Sequence, residues 1–193
     1  AANGSPKIFL IQCGGTNRNH LMDRAMTKVS ARKLKRSLLK EIKRLSLADF
    51  LENIESISPQ PLIHSMFSFI CSNDEKVRWH AIAAFGPTMN RLADQDMEKA
   101  RIIMRRFMWM LNDESGGIGW GVPEAFGETI ANNNNLAEEY AHILISFMRE
   151  DGFYLELEPL QRGLMWGIGR AALAHSNLFL AKNSINYLLP YLR

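Results

Sequence analysis

Three stretches of this chain repeat one pattern, a helix-like run that closes on an apolar residue and a glycine. They occupy residues 77–86, 118–127 and 160–169 and end on Gly86, Gly127 and Gly169, spaced by 41 and then 42 positions. A recurrence of that length constrains the fold more than any other feature. A unit of roughly 40 residues cannot bury its apolar face alone and has to stack on its neighbours.

Upstream of each stretch lies a second helical pattern that runs into an acidic turn. Residues 62–71 lead to Asn73-Asp74, residues 100–111 to Asn112-Asp113, and residues 141–148 to Glu150-Asp151. Apolar residues recur at steps of three and four, as in Ile103, Phe107, Met108 and Leu111, which is the period of a helix and not of a strand. Asp94 or Asp96 and the run 132–135 supply caps and loops between the helices. Ile185, Leu188, Leu189 and Leu192 read as the outer helix of a fourth pair.

The order acidic turn, Val-Arg, small residue, apolar-Gly is carried best by Asp74, Val77, Arg78, Ala81, Phe85 and Gly86. It resembles the second helix of HEAT repeats, and the resemblance covers about residues 60–193. Residues 74–86, the run 109–121 and residues 161–170 also look like a small group of stand-alone bacterial HEAT-repeat proteins of unassigned function. The resemblance implies an all-α fold, a right-handed α-α superhelix in which first helices form the outer layer and second helices line the inner surface. Three clear helix pairs are expected, with N-terminal cap helices and a truncated fourth pair.

Residues 22–193 suffice for one domain with a continuous core. Residues 1–21 are expected to be a tail, with 1–5 resembling a cloning scar, and they lack the charged, apolar and cleavage regions of a signal peptide. The chain is 47% hydrophobic and 22% charged, as soluble globular proteins are, and carries a formal charge of only +3. No apolar run approaches the roughly 20 residues of a membrane-spanning helix. The two cysteines, Cys13 and Cys71, have no metal-ligand spacing, and Cys71 is expected to be a buried small hydrophobe. A reduced, cytoplasmic setting follows by default.

Columns through the aligned stretches locate a candidate binding face. One holds Trp79, Trp120 and Arg162, the next Ala83, Glu124 and Trp166, and the third Pro87, Glu128 and Arg170. The columns are four residues apart and share one helix face. HEAT repeats usually carry polar residues at the first two. Tryptophan and arginine are the types in which binding energy concentrates. The alternative is structural, with tryptophans filling gaps between helices and Glu124–Arg162 and Glu128–Arg170 as ion pairs between repeats. Arg78 joins the face from the repeat motif itself.

The turn at 112–121 contains Gly116, Gly117, Gly119 and Gly121 and is two residues longer than its counterpart in the first repeat. Glycines allow left-handed backbone or close approach. Pro123 belongs to a first helical turn, so the inner helix is expected to start near Val122, leaving Trp120 on the loop. A helix over 30–45 carries Leu34, Leu38, Ile42 and Leu45 as its apolar stripe among seven lysines and arginines. It suits a solvated cap on the first repeat, or contact with nucleic acid or an anionic membrane surface through phosphate charge.

Catalytic motifs are missing: no His-Glu-x-x-His, Cys-x-x-Cys or Gly-x-Ser-x-Gly is present. No metal, cofactor or catalytic residue is implied. The function expected is a non-enzymatic scaffold that binds a protein or peptide on its inner helix face. The rival is DNA binding, by analogy with alkylpurine DNA glycosylases built from HEAT repeats. A tetrapyrrole-handling repeat protein is a third reading that no cysteine or histidine pattern supports.

Overall fold

The computed structural model describes residues 17–112 and 117–192, with side chains from 31 to 191 in those stretches. Residues 1–16, including Cys13, and Gly116 of the glycine turn lie outside the described residues. Ten α-helices pack together and no strand occurs among the described residues. They are α1 (Asn17–Arg44), α2 (Leu47–Ile54), α3 (Pro59–Phe69), α4 (Glu75–Gln95), α5 (Met97–Met110), α6 (Val122–Ala131), α7 (Asn134–Ser146), α8 (Glu158–Ala174), α9 (Ser176–Ala181) and α10 (Ser184–Leu188). The domain boundary expected at Met22 falls inside α1.

The glycine-ending stretches become α4, α6 and α8, and these three lie side by side in that order. Helices α3, α5 and α7 precede them in sequence and pack against them, α5 touching both α4 and α6, α7 touching both α6 and α8. Each boundary has a local cause. Asp74 accepts a hydrogen bond from the Val77 amide, Asp96 from Lys99 and Asn133 from Leu136, so one oxygen side chain caps each of α4, α5 and α7. Asp96 is the cap of α5, while Asp94 lies within α4. Helix α4 continues through Pro87 to Gln95, well past the glycine that closes the sequence motif.

The core is a run of aromatic rings threading the helices. Phe67 of α3, Phe85 of α4 and Phe107 of α5 meet pairwise with centroids 5.2 to 5.4 Å apart, and Phe107 stacks on Phe126 of α6 at 5.9 Å. Phe126 then meets Tyr140 and Phe147. Phe85, Phe107 and Phe126 have no solvent exposure, so each removes a full aromatic surface from water.

Two expectations need correction. Cys71 is exposed, because α3 ends at Phe69 and places it in the turn beyond the helix. The segment expected as a fourth outer helix, 185–192, is α-helical only in its first part: α10 begins after Asn183, whose left-handed conformation (φ 56°) separates it from α9, and Leu189–Leu192 tighten into a 3-10 turn.

Candidate binding site

The row α4–α6–α8 brings most of the expected face together, through contacts that depend on missing side chains. A Cβ on Gly127 would lie 2.3 Å from the Cα of Gly167, and one on Gly163 would lie 2.5 Å from Glu124 Oε2. Without side chains at these positions, α8 settles directly on α6. Gly86 serves the same purpose on the other side, where a Cβ would meet Asn132 Nδ2 at 2.3 Å. Gly169, the third glycine of the motif, has open space around its Cβ position.

Glu128 ties α6 to α8. The residue is 8% exposed, its Oε2 pairs with Arg170 Nε at 2.8 Å, and its Oε1 accepts from Arg170 Nη2 and from Asn132 Nδ2. The Glu128–Arg170 pair expected between repeats is therefore present. The Glu124–Arg162 pair is absent. Arg162 turns away and pairs with Glu158, one turn earlier on its own helix. Gly163 takes the position facing Glu124, so the residue before it points elsewhere.

Trp79 of α4 and Trp166 of α8 reach across α6 and meet with ring centroids 4.9 Å apart, inclined at 59°. Trp79 is partly buried against the core, while Trp166 keeps 39% of its surface in solvent. Trp120 lies in the loop before α6, as the position of Pro123 implies, and is 43% exposed.

Beside Trp120 opens a cleft of about 320 Å³. Its walls come from the turn at 71–73, from Arg78 of α4, from Trp120, Gly121 and Glu124, and from Pro159 and Leu160 at the start of α8. Gly121 is needed here for two reasons: its φ is 72°, and a Cβ would lie 2.6 Å from the carbonyl of Ile70. Gly119 lies close to the Met110 carbonyl, whereas Gly117 has open space at its Cβ position. The glycines at 119 and 121 thus fold the loop tightly onto the preceding turn, where Cys71 Sγ approaches the Trp120 carbonyl at 3.7 Å.

Glu124 is the chemically distinctive group in the cleft. Its Oε2 is buried and has no hydrogen-bond partner, and burial pushes its carboxyl above the usual glutamate range. Arg78 exerts a smaller opposing effect through its charge; its Nη1 donates to the carbonyl of Ser72 at 3.1 Å. Cys71 is exposed as a residue, but partial burial of its sulfur raises the thiol. Among the described residues no group of histidines, cysteines and acids could hold a metal ion.

Column reading missed Asn132, Glu158 and Gly163. The first and second had a signal, since each lies four residues from a charged partner on its own helix. Gly163 and Gly167, spaced by four, mark a helix face cleared for close packing. A separate groove of about 480 Å³ between α5 and α7, where Trp109 and Phe153 are exposed, had no counterpart in the repeat pattern. Exposure of Lys33, Lys35, Arg36, Lys40, Lys43 and Arg44 makes the outer side of α1 basic, over a buried Leu38 and Ile42.

No family model matches the chain. No solved structure matches it. An uncharacterised protein of Archaeoglobus fulgidus is 30% identical over 120 residues, which are 62% of this chain and 57% of that protein. The chain thus spans little more than half the length of this relative. The relative is archaeal, whereas the sequence resemblance pointed to bacterial proteins.

Proposed function

We propose that this chain is a HEAT-type solenoid, a scaffold without chemistry of its own, whose inner row α4–α6–α8 binds a protein or peptide. The observation that carries this reading is two exposed indoles, Trp166 on α8 and Trp120 in the loop that leads into α6, kept 39% and 43% in solvent, with α6 and α8 packed backbone to backbone. Exposed tryptophans on a rigid face, beside a cleft, are the form that interface anchors take. A large apolar surface held in water has a cost that a partner would remove.

The charges on this face argue against phosphate as its ligand. Arg170 is paired with Glu128 and Arg162 with Glu158, which leaves little uncompensated positive charge. Nucleic-acid binding remains the second reading because of the exposed basic side of α1, and it would then use α1 and not the tryptophan face.

Selection from a displayed peptide library tests the proposal. Wild-type protein should enrich a peptide family whose binding falls at least tenfold in Trp120→Ala and Trp166→Ala and is unchanged in Trp109→Ala, which lies off this face. Equal binding by all three variants, or no enrichment by the wild type, overturns it. Tight binding of duplex DNA with a steep salt dependence, lost on reversing the charges of α1, would establish the second reading instead.

A further inference from the structure

We infer that the cleft at Glu124 receives the basic side chain of a peptide partner, with the Glu124 carboxylate as its acceptor and the Trp120 indole as its wall. The inference rests on the binding face proposed above and names what its central cleft recognises. A buried polar atom with no partner is uncommon in a folded protein and calls for an explanation. Glu124 Oε2 is such an atom, and it lines a cleft of about 320 Å³ that opens to solvent beside an exposed tryptophan.

The surrounding groups specify what fits. Glu128 and Glu158, the two carboxylates that flank the face on α6 and α8, are already neutralised by Arg170 and Arg162. Arg78 shares the cleft with Glu124 but is tied to the carbonyl of Ser72, and it forms no ion pair with Glu124. The open acceptor on this face is therefore a carboxylate oxygen, and the group it lacks is an N–H donor. A cationic donor gains most, because charge-assisted bonds are roughly twice as strong as neutral ones and strengthen in a desolvated site.

Trp120 adds a second requirement. Among the described residues its indole is the one aromatic wall of the cleft, and an aromatic face attracts a cation through its quadrupole. Arginine satisfies both demands at once, since a guanidinium can lie flat on a ring while its planar edge forks onto a carboxylate. Lysine meets the charge requirement without the stacking. Pro159 and Leu160 supply apolar surface for the methylene stem that either side chain carries.

The test is a titration of the full chain with blocked single amino acids, followed by NMR of the tryptophan indole N–H signals. The probes are Nα-acetyl-arginine amide, Nα-acetyl-lysine amide, and the uncharged citrulline and norleucine analogues. The arginine and lysine probes should shift the Trp120 signal, arginine at the lowest concentration, while the uncharged analogues bind at least tenfold more weakly. Glu124→Gln should abolish the difference between arginine and citrulline while its indole signals keep their dispersion, showing that the fold is intact; Trp120→Phe, which lacks the reporter and is followed by calorimetry, should retain the difference in weaker form. Citrulline or norleucine binding as well as arginine, or an unchanged preference in Glu124→Gln, overturns the inference. So does 7-methylguanosine binding at Trp120 more tightly than arginine, which would make the cation a nucleobase. If library selection yields peptides that need Trp120 but no basic residue, this inference falls while the scaffold reading stands. If selection yields none, the scaffold reading falls as well.

Discussion

Gly127 and Gly167 touch backbone to backbone: a Cβ on Gly127 would lie 2.3 Å from both the Cα and the carbonyl oxygen of Gly167. That contact sets the separation of α6 and α8, and with it the reach by which Trp166 meets Trp79 across α6. Gly169, two residues further along α8, has the same place in the sequence motif and no such neighbour.

The two glycines should therefore respond oppositely to the same substitution. Gly127→Ala forces the helices apart and should cost about 2–3 kcal/mol, as overpacking of a close contact does. Gly169→Ala places a methyl in open space within a helix and should add about 0.5–1 kcal/mol. Urea denaturation of both variants is the measurement, and equal effects would mean that the row is not set by this contact.

Removing Arg170 should strand the Glu128 carboxylate, which is 8% exposed and takes three of its hydrogen bonds from Arg170 and Asn132 side chains. Arg170→Ala is expected to cost about 2 kcal/mol, because an unpaired buried charge loses more than the pair was worth. Glu128→Ala combined with Arg170→Ala should cost clearly less than the sum of the two single changes. A double-mutant cycle by chemical denaturation checks this, and additive values would rule out the coupling.

Glu124 should be a site where binding is favoured over stability. Burial holds its carboxyl above the ordinary glutamate range, so the folded chain keeps a proton that the unfolded chain has already released. Stability should fall as pH rises from that ordinary range through the raised value, and the loss is complete above it. The charged group that bears on Glu124 is Arg78, which moderates the effect. Glu124→Gln should remove this pH-dependent loss and gain about 1 kcal/mol at neutral pH. Thermal melts of both proteins between pH 3.5 and 8 would show it as curves that diverge with rising pH; parallel curves would contradict it.

The Asp74 cap holds the start of α4, next to the turn that forms one wall of the cleft. Asp74→Ala should cost about 1 kcal/mol. Amide hydrogen exchange should speed up first at the amide of Val77, whose acceptor is lost. Unchanged exchange there would mean that the cap bond does not form in solution.

Much of the face could be read from the chain. The position of Pro123 places Trp120 before α6, and the four-residue spacing of the columns puts Glu124 and Glu128 on one side of that helix. The Glu128–Arg170 pair follows from the same spacing. Arg162 did not obey it, because Gly163 occupies the position opposite Glu124, and a rotation of one residue directs Arg162 toward Glu158. Cys71 was misread as buried because its apolar pattern continues past Phe69, where the helix has already ended.

Periodicity and spacing were enough for an all-helical chain with helices near 77, 122 and 160, since a helix repeats every 3.6 residues and that repeat is written in the order of side chains. They also put Trp79 and Trp166 in columns that share a face, and these two rings meet. Which groups meet across neighbouring helices was settled by packing, because the register between α6 and α8 depends on where two backbones can approach, at Gly127 and Gly167. That offset joins Trp79 to Trp166, leaves Glu124 Oε2 without a donor, and creates the cleft beside Trp120. A contact between residues 40 positions apart is an outcome of volume and distance in three dimensions, and no local pattern along the chain encodes it.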